Sequence, residues 1–456
     1  MAKASDAHAD TRPRESDMEC GREVSRELVE FIGRCPSAFH TVSTARALLD
    51  EAGATYLPEG SEWHLEPGGM YYTVRNNSSI ICWRVGAALD DYHFQVAAAH
   101  GDSPSYRVKA VPELEGPGEY LRINVEGYGG MIDYSWLDRP LGVAGRVLVE
   151  TPWGVASRLV HIDRDVLLIP SLCIHMNREV NNGFSFNRQV DLCPLFSAGS
   201  LSRGDFDRMI AEELGVGEDA VLARDLFLVN RERGRVWGQA GEFVSSGRLD
   251  DLQCAFAALK AFLASTNEGD VSVCAIFDNE EVGSGTKQGA LSTFLRDVLV
   301  RVSAGLGMSD EDHLRAVAKS FLVSCDNAHA VHPNHPEKTD DANRAWLNGG
   351  IVVKESANQH YTTDAFSSAV FKAICARAGV PVQPFANRSD SPGGSTLGNL
   401  SNTQVSVHAI DIGLPQLAMH SSYETAGVAD TAYAIRALTA FFDTTVRIDG
   451  ADGAAL

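Results

Sequence analysis

Between Arg22 and Gly53 apolar positions recur at helical spacing, with one interruption at "GRCPSAFH". Pro36 and Ser37 suit the first positions of a helix, so the pattern predicts two opening helices, the second ending near Leu49. The period then shortens. "MYYTVRN", "SIICWRVG" and "YHFQVAAAH" are β-branched and aromatic runs separated by turn residues, which predicts three strands, the third ending in His100. From about Ser105 to Gln239 the chain consists of short strand-like runs, among them "YLRINVEGYGG", "GRVLVE" and "VASRLVHI", joined by loops rich in Gly, Pro and Asp. Beyond Gly247 the pattern alternates: "RLDDLQCAFAALKAFLA" predicts a helix, "VSVCAIF" a strand, "TFLRDVLVRVSAGL" a helix and "SFLVSC" a strand. "AFSSAVFKAICARAG" and "TAYAIRALTAFFDTTV" predict two further helices. Alternation of this kind predicts an α/β fold, a mixed sheet covered by helices on both faces. The middle third interrupts it, so residues 105–239 read as a β-rich insert between 17–104 and 240–456.

Length agrees with more than one domain, since 456 residues exceed a single compact unit. The formal charge of −21 argues against a surface that gathers nucleic acid or anionic lipid. No uncharged apolar run approaches the ~18 residues of a membrane span, and "MAKASDAHADTRPRESDM" lacks an apolar signal segment. It reads as a polar, disordered lead of about sixteen residues. Nine cysteines, without a CxxC pair and in an odd number, predict a reducing cytoplasm and weigh against cysteine-based zinc sites.

The candidate chemistry sits where apolar runs stop. In "AAAHGDSP", Asp102 follows His100 by two residues, a spacing that lets a carboxylate reach the far ring nitrogen of a metal-bound imidazole; the same letters also make a good turn. Asp250 falls in the first turn of an amphipathic helix, where a carboxylate also complements the helix dipole. "CAIFDNEEVGSG" places Asp278, Glu280 and Glu281 just past a buried strand. Burying adjacent carboxylates without a cation is costly, and in extended backbone neighbouring side chains point apart, so one Glu can ligate metal while the other faces water. Asp278 suits a turn or a supporting place behind the ligands. Asp326, with His329, His332 and His335 behind it, follows "FLVSC", and His420 follows "LPQLAM". An α/β sheet brings such strand ends to one cleft. Carboxylates and imidazoles without thiolates suit zinc or another first-row dication, and two ions about 3.5 to 4 Å apart would hydrolyse amides or phosphoesters. "GSGTKQGA" does not satisfy the phosphate-loop spacing. "SPGGSTLGN" at 391–399 suits a tight turn or a close backbone approach to substrate.

The segments "SAFH", "HGDSPSYRVK", "IPSLCIHMNR", "GRLDDL", "DNEEVGS", "DNAHAVHPN", "KESANQHY", "SPGGSTLG" and "LPQLAMHS" resemble, in order, those of the aspartyl aminopeptidases, a family of co-catalytic zinc exopeptidases. The resemblance implies that Asp250 bridges two metal ions, with His100 and Asp326 completing one site and Glu281 and His420 the other. Glu280 would be the general base and Asp102 would orient His100. His175, His329, Lys354 and Tyr361 would lie around the substrate. Two Zn²⁺ per subunit are implied, with Mn²⁺ or Co²⁺ as alternatives. The insert would form a dimer contact that carries His175 to a partner's site, in a homododecamer acting on peptides. The family name implies acidic N-terminal residues as substrates; neutral or broad specificity, or a metal-dependent deacylase, are the alternatives. The chain departs from the family at Gly393, where a cysteine is common, and at Gly101, where a larger residue is usual.

Overall fold

The computed structural model describes residues 13–391, 393–450 and 453–456. Most of the expected polar lead lies outside the described residues. Its end is helical, because the first helix runs Glu15–Arg34 and the second Ala38–Glu51.

Nine strands form the main sheet. Its centre is four parallel strands in the order Val271–Phe277, Phe94–His100, Phe321–Cys325 and His408–Gly413. Every residue of Phe94–His100 and of Val271–Phe277 is buried, the pattern of strands covered on both faces. Ala97 and Ala99 pack into one core with the helices Ala38–Glu51, Leu249–Ala264, Ala365–Arg377 and Val428–Asp443. Val96 and Ala98 face the other way, into a core with Phe294–Gly305, Asp310–Lys319 and Leu397–Ser401. Apolar positions at both phases of the strand period therefore produce the expected α/β sheet with helices on both faces. The helix Asp310–Lys319 is an addition to the expected elements, though its Ser309–Asp312 capping box is written in the sequence.

A second sheet is antiparallel throughout, six strands drawn from residues 105 to 230 in the order Gly154–Leu167, Leu141–Thr151, Val221–Asn230, Ser105–Glu115, Tyr120–Tyr128 and Leu195–Ala198. It has its own core around Val143, Ile162, Phe206 and Leu226. Phe206 comes from a helix, Asp205–Leu214, that the strand-like pattern conceals. Its cap is remote: both oxygens of Glu113 accept from the amides of Gly204 and Phe206, at 2.6 and 2.8 Å. A third sheet of five short strands includes Arg235–Trp237, Phe243–Ser246, Glu424–Gly427, Pro415–Leu417 and Ala328–His329. It ties the segments that follow two main-sheet strands to the one that precedes Asp250.

Candidate functional site

The four parallel strands end at one edge, and every candidate ligand but Asp250 lies at or beyond it. His100 is the last residue of its strand, and Asp326 follows Cys325 with its amide donating to Ile412 O at 3.0 Å. Beyond Phe277 the backbone is not extended as expected. Asn279 is left-handed (φ 62°) and Glu280–Val282 form one 3₁₀ turn, so it is the turn that separates the two Glu side chains. His420 is left-handed too, at φ 66°. Asp250 comes from the helix packed against the sheet, but its backbone (φ −81°, ψ 110°) is non-helical. It precedes the regular turns, so its carboxylate serves the cleft and not the helix dipole.

Asp250 lies between two imidazoles. Its Oδ1 is 3.6 Å from His100 Nε2, and its Oδ2 is 3.3 Å from His420 Nε2. Asp326 Oδ1 is 3.9 Å from His100 Nε2, and Glu281 Oε2 is 3.3 Å from His420 Nε2. Ligand atoms of His100, Asp250, Asp251 and Asp326 lie within 4.8 Å of one another, as do those of Asp250, Glu281 and His420, and those of His100, Glu280 and Glu281. Both histidines present Nε2 to the cluster because Nδ1 is taken by a backbone carbonyl. His100 Nδ1 lies 3.1 Å from Asp102 O and His420 Nδ1 lies 2.5 Å from Gly130 O. A carbonyl only accepts, so each Nδ1 carries a proton, and Nε2 is the atom that can release its own and bind a metal.

The electrostatics show a shortage of positive charge. Burial drives Glu281 well above the usual carboxylate range, and Asp250 adds to it. Glu280 is pushed up to about 8, first by burial and then, against the pull of His100, by Asp326, Asp102 and Asp250. Burial also acts on Asp250, but His100 and His420 outweigh it and hold this carboxyl well below its usual value. Burial opposes the charge on His420, yet Asp250 lifts it to about 9. Asp250 Oδ1, Asp251 Oδ1 and Glu281 Oε1 are buried with no hydrogen-bond partner among the described residues. An unpaired buried carboxylate costs several kcal/mol, so these orphans fit divalent cations, and oxygen and imidazole donors without thiolate suit zinc.

A frame of buried carboxylates holds the ligand-bearing backbone. Asp102 accepts from the amides of Glu280 and Glu281 at 3.2 and 3.3 Å, with its Oδ1 3.4 Å from His100 Nδ1. Asp251, fully buried, accepts from the His100 amide at 3.2 Å. Glu424, 1% exposed, accepts from the amides of Asp250 and His420 at 3.0 and 2.7 Å. Asp251 and Glu424 are additions to the sequence reading. Asp251 is concealed by looking like a second dipole carboxylate. A faint sign of Glu424 exists, a lone acid entering the apolar strand "ETAG".

Lys354 is buried, with Nζ 3.7 Å from Asp326 Oδ2 and 5.5 Å from the centre of the Tyr361 ring. Burial opposes its charge, but Asp326 and other neighbours hold its pKa above the ordinary lysine value. His329 is exposed beside Phe385, and His332 and His335 are exposed outside the metal groupings. His175 is exposed, on the irregular stretch between Leu167 and Leu195, with no hydrogen bond or ion pair to the cluster among the described residues. Asp278 is 5% exposed and accepts from the Asn279 amide at 2.8 Å, the turn role expected of it. Thr286 and Gln288 of "GSGTKQGA" donate to Asn279 Oδ1 at 2.8 and 2.7 Å, so this loop braces the Glu turn. A Cβ at Gly101 would meet Thr41 Cγ2 at 3.0 Å and Ile276 Cγ2 at 3.1 Å, so these two side chains occupy the space beside it. In the "SPGGST" loop, Pro392 lies outside the described residues.

Among the described residues no helix is long and apolar enough to cross a membrane. Comparison with known proteins gives the family. A curated relative, "Probable M18 family aminopeptidase 2" of Clostridium novyi, is 44% identical over 425 residues, covering 92% of this chain and 98% of its own. A cryo-EM structure of the Ape4 and Nbr1 complex includes a chain that is 35% identical, with a TM-score of 0.89 over 93% of this chain and 86% of that one. The S. cerevisiae mApe1 dodecamer is 29% identical, with a TM-score of 0.81 over 92% of this chain and 96% of that one. The family described as aminopeptidase I zinc metalloprotease (M18) matches residues 31–442, which takes in every ligand of the carboxylate and imidazole cluster, and the chain belongs to that family.

Proposed function

We propose that the protein removes the N-terminal residue of peptides, preferring Asp or Glu there, with two divalent ions per subunit, zinc first and manganese or cobalt as alternatives. The observation that carries this reading is Asp250, whose two oxygens face the Nε2 atoms of two different histidines. His100 and Asp326 would complete one site, Glu281 and His420 the other. Bound there, such ions supply Lewis acidity toward a peptide carbonyl and lower the pKa of water toward neutrality.

The chain's own groups supply the rest. Glu280, grouped with His100 and Glu281 at the cluster, takes a proton from the attacking water and returns it to the departing amide nitrogen as the C–N bond breaks. Asp102 holds His100 and the Glu280–Glu281 turn in register. Lys354 offers the positive charge for an acidic side chain, with Tyr361 and His329 beside it. Residues 105–239 act as a dimerisation insert between the two parts of the catalytic domain, 17–104 and 240–456, and bring His175 of the partner subunit to the substrate. The dodecameric relative supports a homododecamer built from such dimers.

One observation favours neutral or broad specificity instead: Lys354 is already paired with Asp326, so part of its charge is spent within the site. Rates on Asp, Glu, Leu and Lys aminoacyl substrates, free and N-blocked, test the reading. Cleavage only of free amines with Asp or Glu leading by tenfold or more supports it, and Lys354→Met should abolish that lead. Equal cleavage of blocked substrates identifies a deacylase, and a Leu preference overturns the acidic assignment.

A further inference from the structure

The six-stranded sheet reaches into the ligand cluster of its own chain. Its strand Tyr120–Tyr128 leads directly into "YGGMI", residues 128–132, which leave the sheet and run along the cluster. Tyr128 donates its hydroxyl proton to Asp102 Oδ2 at 2.7 Å and accepts from Asn279 Nδ2 at 2.8 Å. Asp102 in turn receives the amides of Glu280 and Glu281 and faces His100 Nδ1. Gly129 is left-handed (φ 77°), and a Cβ there would lie 3.2 Å from both the Cβ and the carbonyl oxygen of Glu281. Gly130 O takes the Nδ1 proton of His420 at 2.5 Å, and the Ile132 amide donates to His420 O at 3.0 Å. Four of the five residues therefore touch the two halves of the cluster or the acid that supports it. Among the described residues, no other hydrogen-bond partner of His420 Nδ1 is found than Gly130 O.

We infer that residues 128–132 are a positioning strap through which the six-stranded sheet aims His420, Glu281 and the Asp102–His100 pair, with Tyr128 and Gly129 as positioning residues for hydrolysis. The inference rests on the metallo-aminopeptidase reading for its kinetic consequence and on geometry alone for its effect on metal binding. It gives the sheet a role within its own subunit, distinct from contact with a partner. A strap built this way transmits any displacement of the sheet to ligands of both halves at once, because Tyr128 and Gly130 are two residues apart and act on opposite ends of the cluster.

The test uses the full chain with Tyr128→Phe and Gly129→Ala. The Phe variant keeps the edge contact of the ring with Phe227, at 5.4 Å, and loses only the hydroxyl. It should keep the assembly mass of the parent protein and melt only a few degrees lower, for the two hydrogen bonds lost. Its kcat should fall about 10- to 100-fold with KM changed less than about threefold, and zinc affinity in chelator competition should fall about tenfold, as for the loss of a partner behind a metal ligand. Gly129→Ala should weaken zinc binding at least as much. Unchanged kcat and zinc affinity in Tyr128→Phe would overturn the inference, as would a lowered melting temperature with normal kcat per folded subunit, which is a packing role. If the parent protein cleaves no peptide, the aminopeptidase reading fails, and the zinc measurement still decides the strap.

Discussion

Glu424 accepts the Asp250 amide on Oε2 at 3.0 Å, although the two residues stand 174 positions apart in the chain. Its Oε1 takes the His420 amide, so one buried carboxylate carries the backbone of two candidate ligands. Glu424→Gln preserves the volume and replaces one acceptor with an NH₂ that must face an N–H. Zinc affinity should fall about 10- to 100-fold, with a stability loss of about 1–3 kcal/mol from the unmade hydrogen bond. Chelator competition and chemical denaturation measure the two effects, and a variant with parental zinc affinity contradicts the framing role.

Another buried acid lies at the opposite ends of the same strands and should contribute to the pH dependence of stability. Asp270, 1% exposed, precedes Val271, and His93 precedes Phe94. His93 Nε2 lies 3.7 Å from Asp270 Oδ2, and His93 Nδ1 is occupied by Asp91 O at 2.6 Å. Burial pushes Asp270 up to about 7, against the hydrogen bond from Asn267. Its folded pKa lies above the unfolded value of about 3.9, so its contribution is complete below about pH 4 and is lost as pH rises to about 7. The displacement corresponds to about 4 kcal/mol. Asp270→Asn should therefore gain on the parent protein between pH 5 and pH 8 in denaturation midpoint; a constant difference across that range contradicts the assignment.

The stretch between Leu167 and Leu195 exposes Leu172, Ile174, Met176 and Val190 at 56, 49, 76 and 65%. Apolar side chains gathered on one irregular segment suit an interaction surface, and under the proposed dimerisation role of the insert a second copy of the chain would cover them. Met176→Glu should shift sedimentation velocity profiles to smaller species and lower kcat with them, since His175 is its neighbour. Unchanged mass and activity would remove this segment from the interface.

Much of the site is legible in the sequence because of where apolar runs end. His100 ends a wholly buried strand, Asp326 follows another and the Glu280–Glu281 pair lies just past a third, and a parallel sheet gathers such ends at one edge. What stayed hidden depends on contacts between distant segments. The Asp205–Leu214 helix takes its cap from Glu113, so no local signal announces it. Asp251 differs from Asp250 only in what it faces, the His100 amide, and a periodicity argument gives both the same place on a helix. The Glu turn reads as extended because nothing in "DNEEV" states that Asn279 is left-handed; the Thr286 and Gln288 side chains that brace it come seven and nine residues later.

The most direct test of the account is zinc stoichiometry and turnover of Glu280→Gln measured on the same preparation. Glu280 stands beside the cluster with its pKa raised to about 8, and its removal leaves His100, Asp250, Glu281, Asp326 and His420 in place. The account predicts two equivalents of zinc by elemental analysis and a loss of kcat of about 100-fold or more on an unblocked aminoacyl substrate. Two equivalents with parental kcat would contradict Glu280 as the base, and fewer than two in the parent protein after reconstitution would contradict the two-ion site itself.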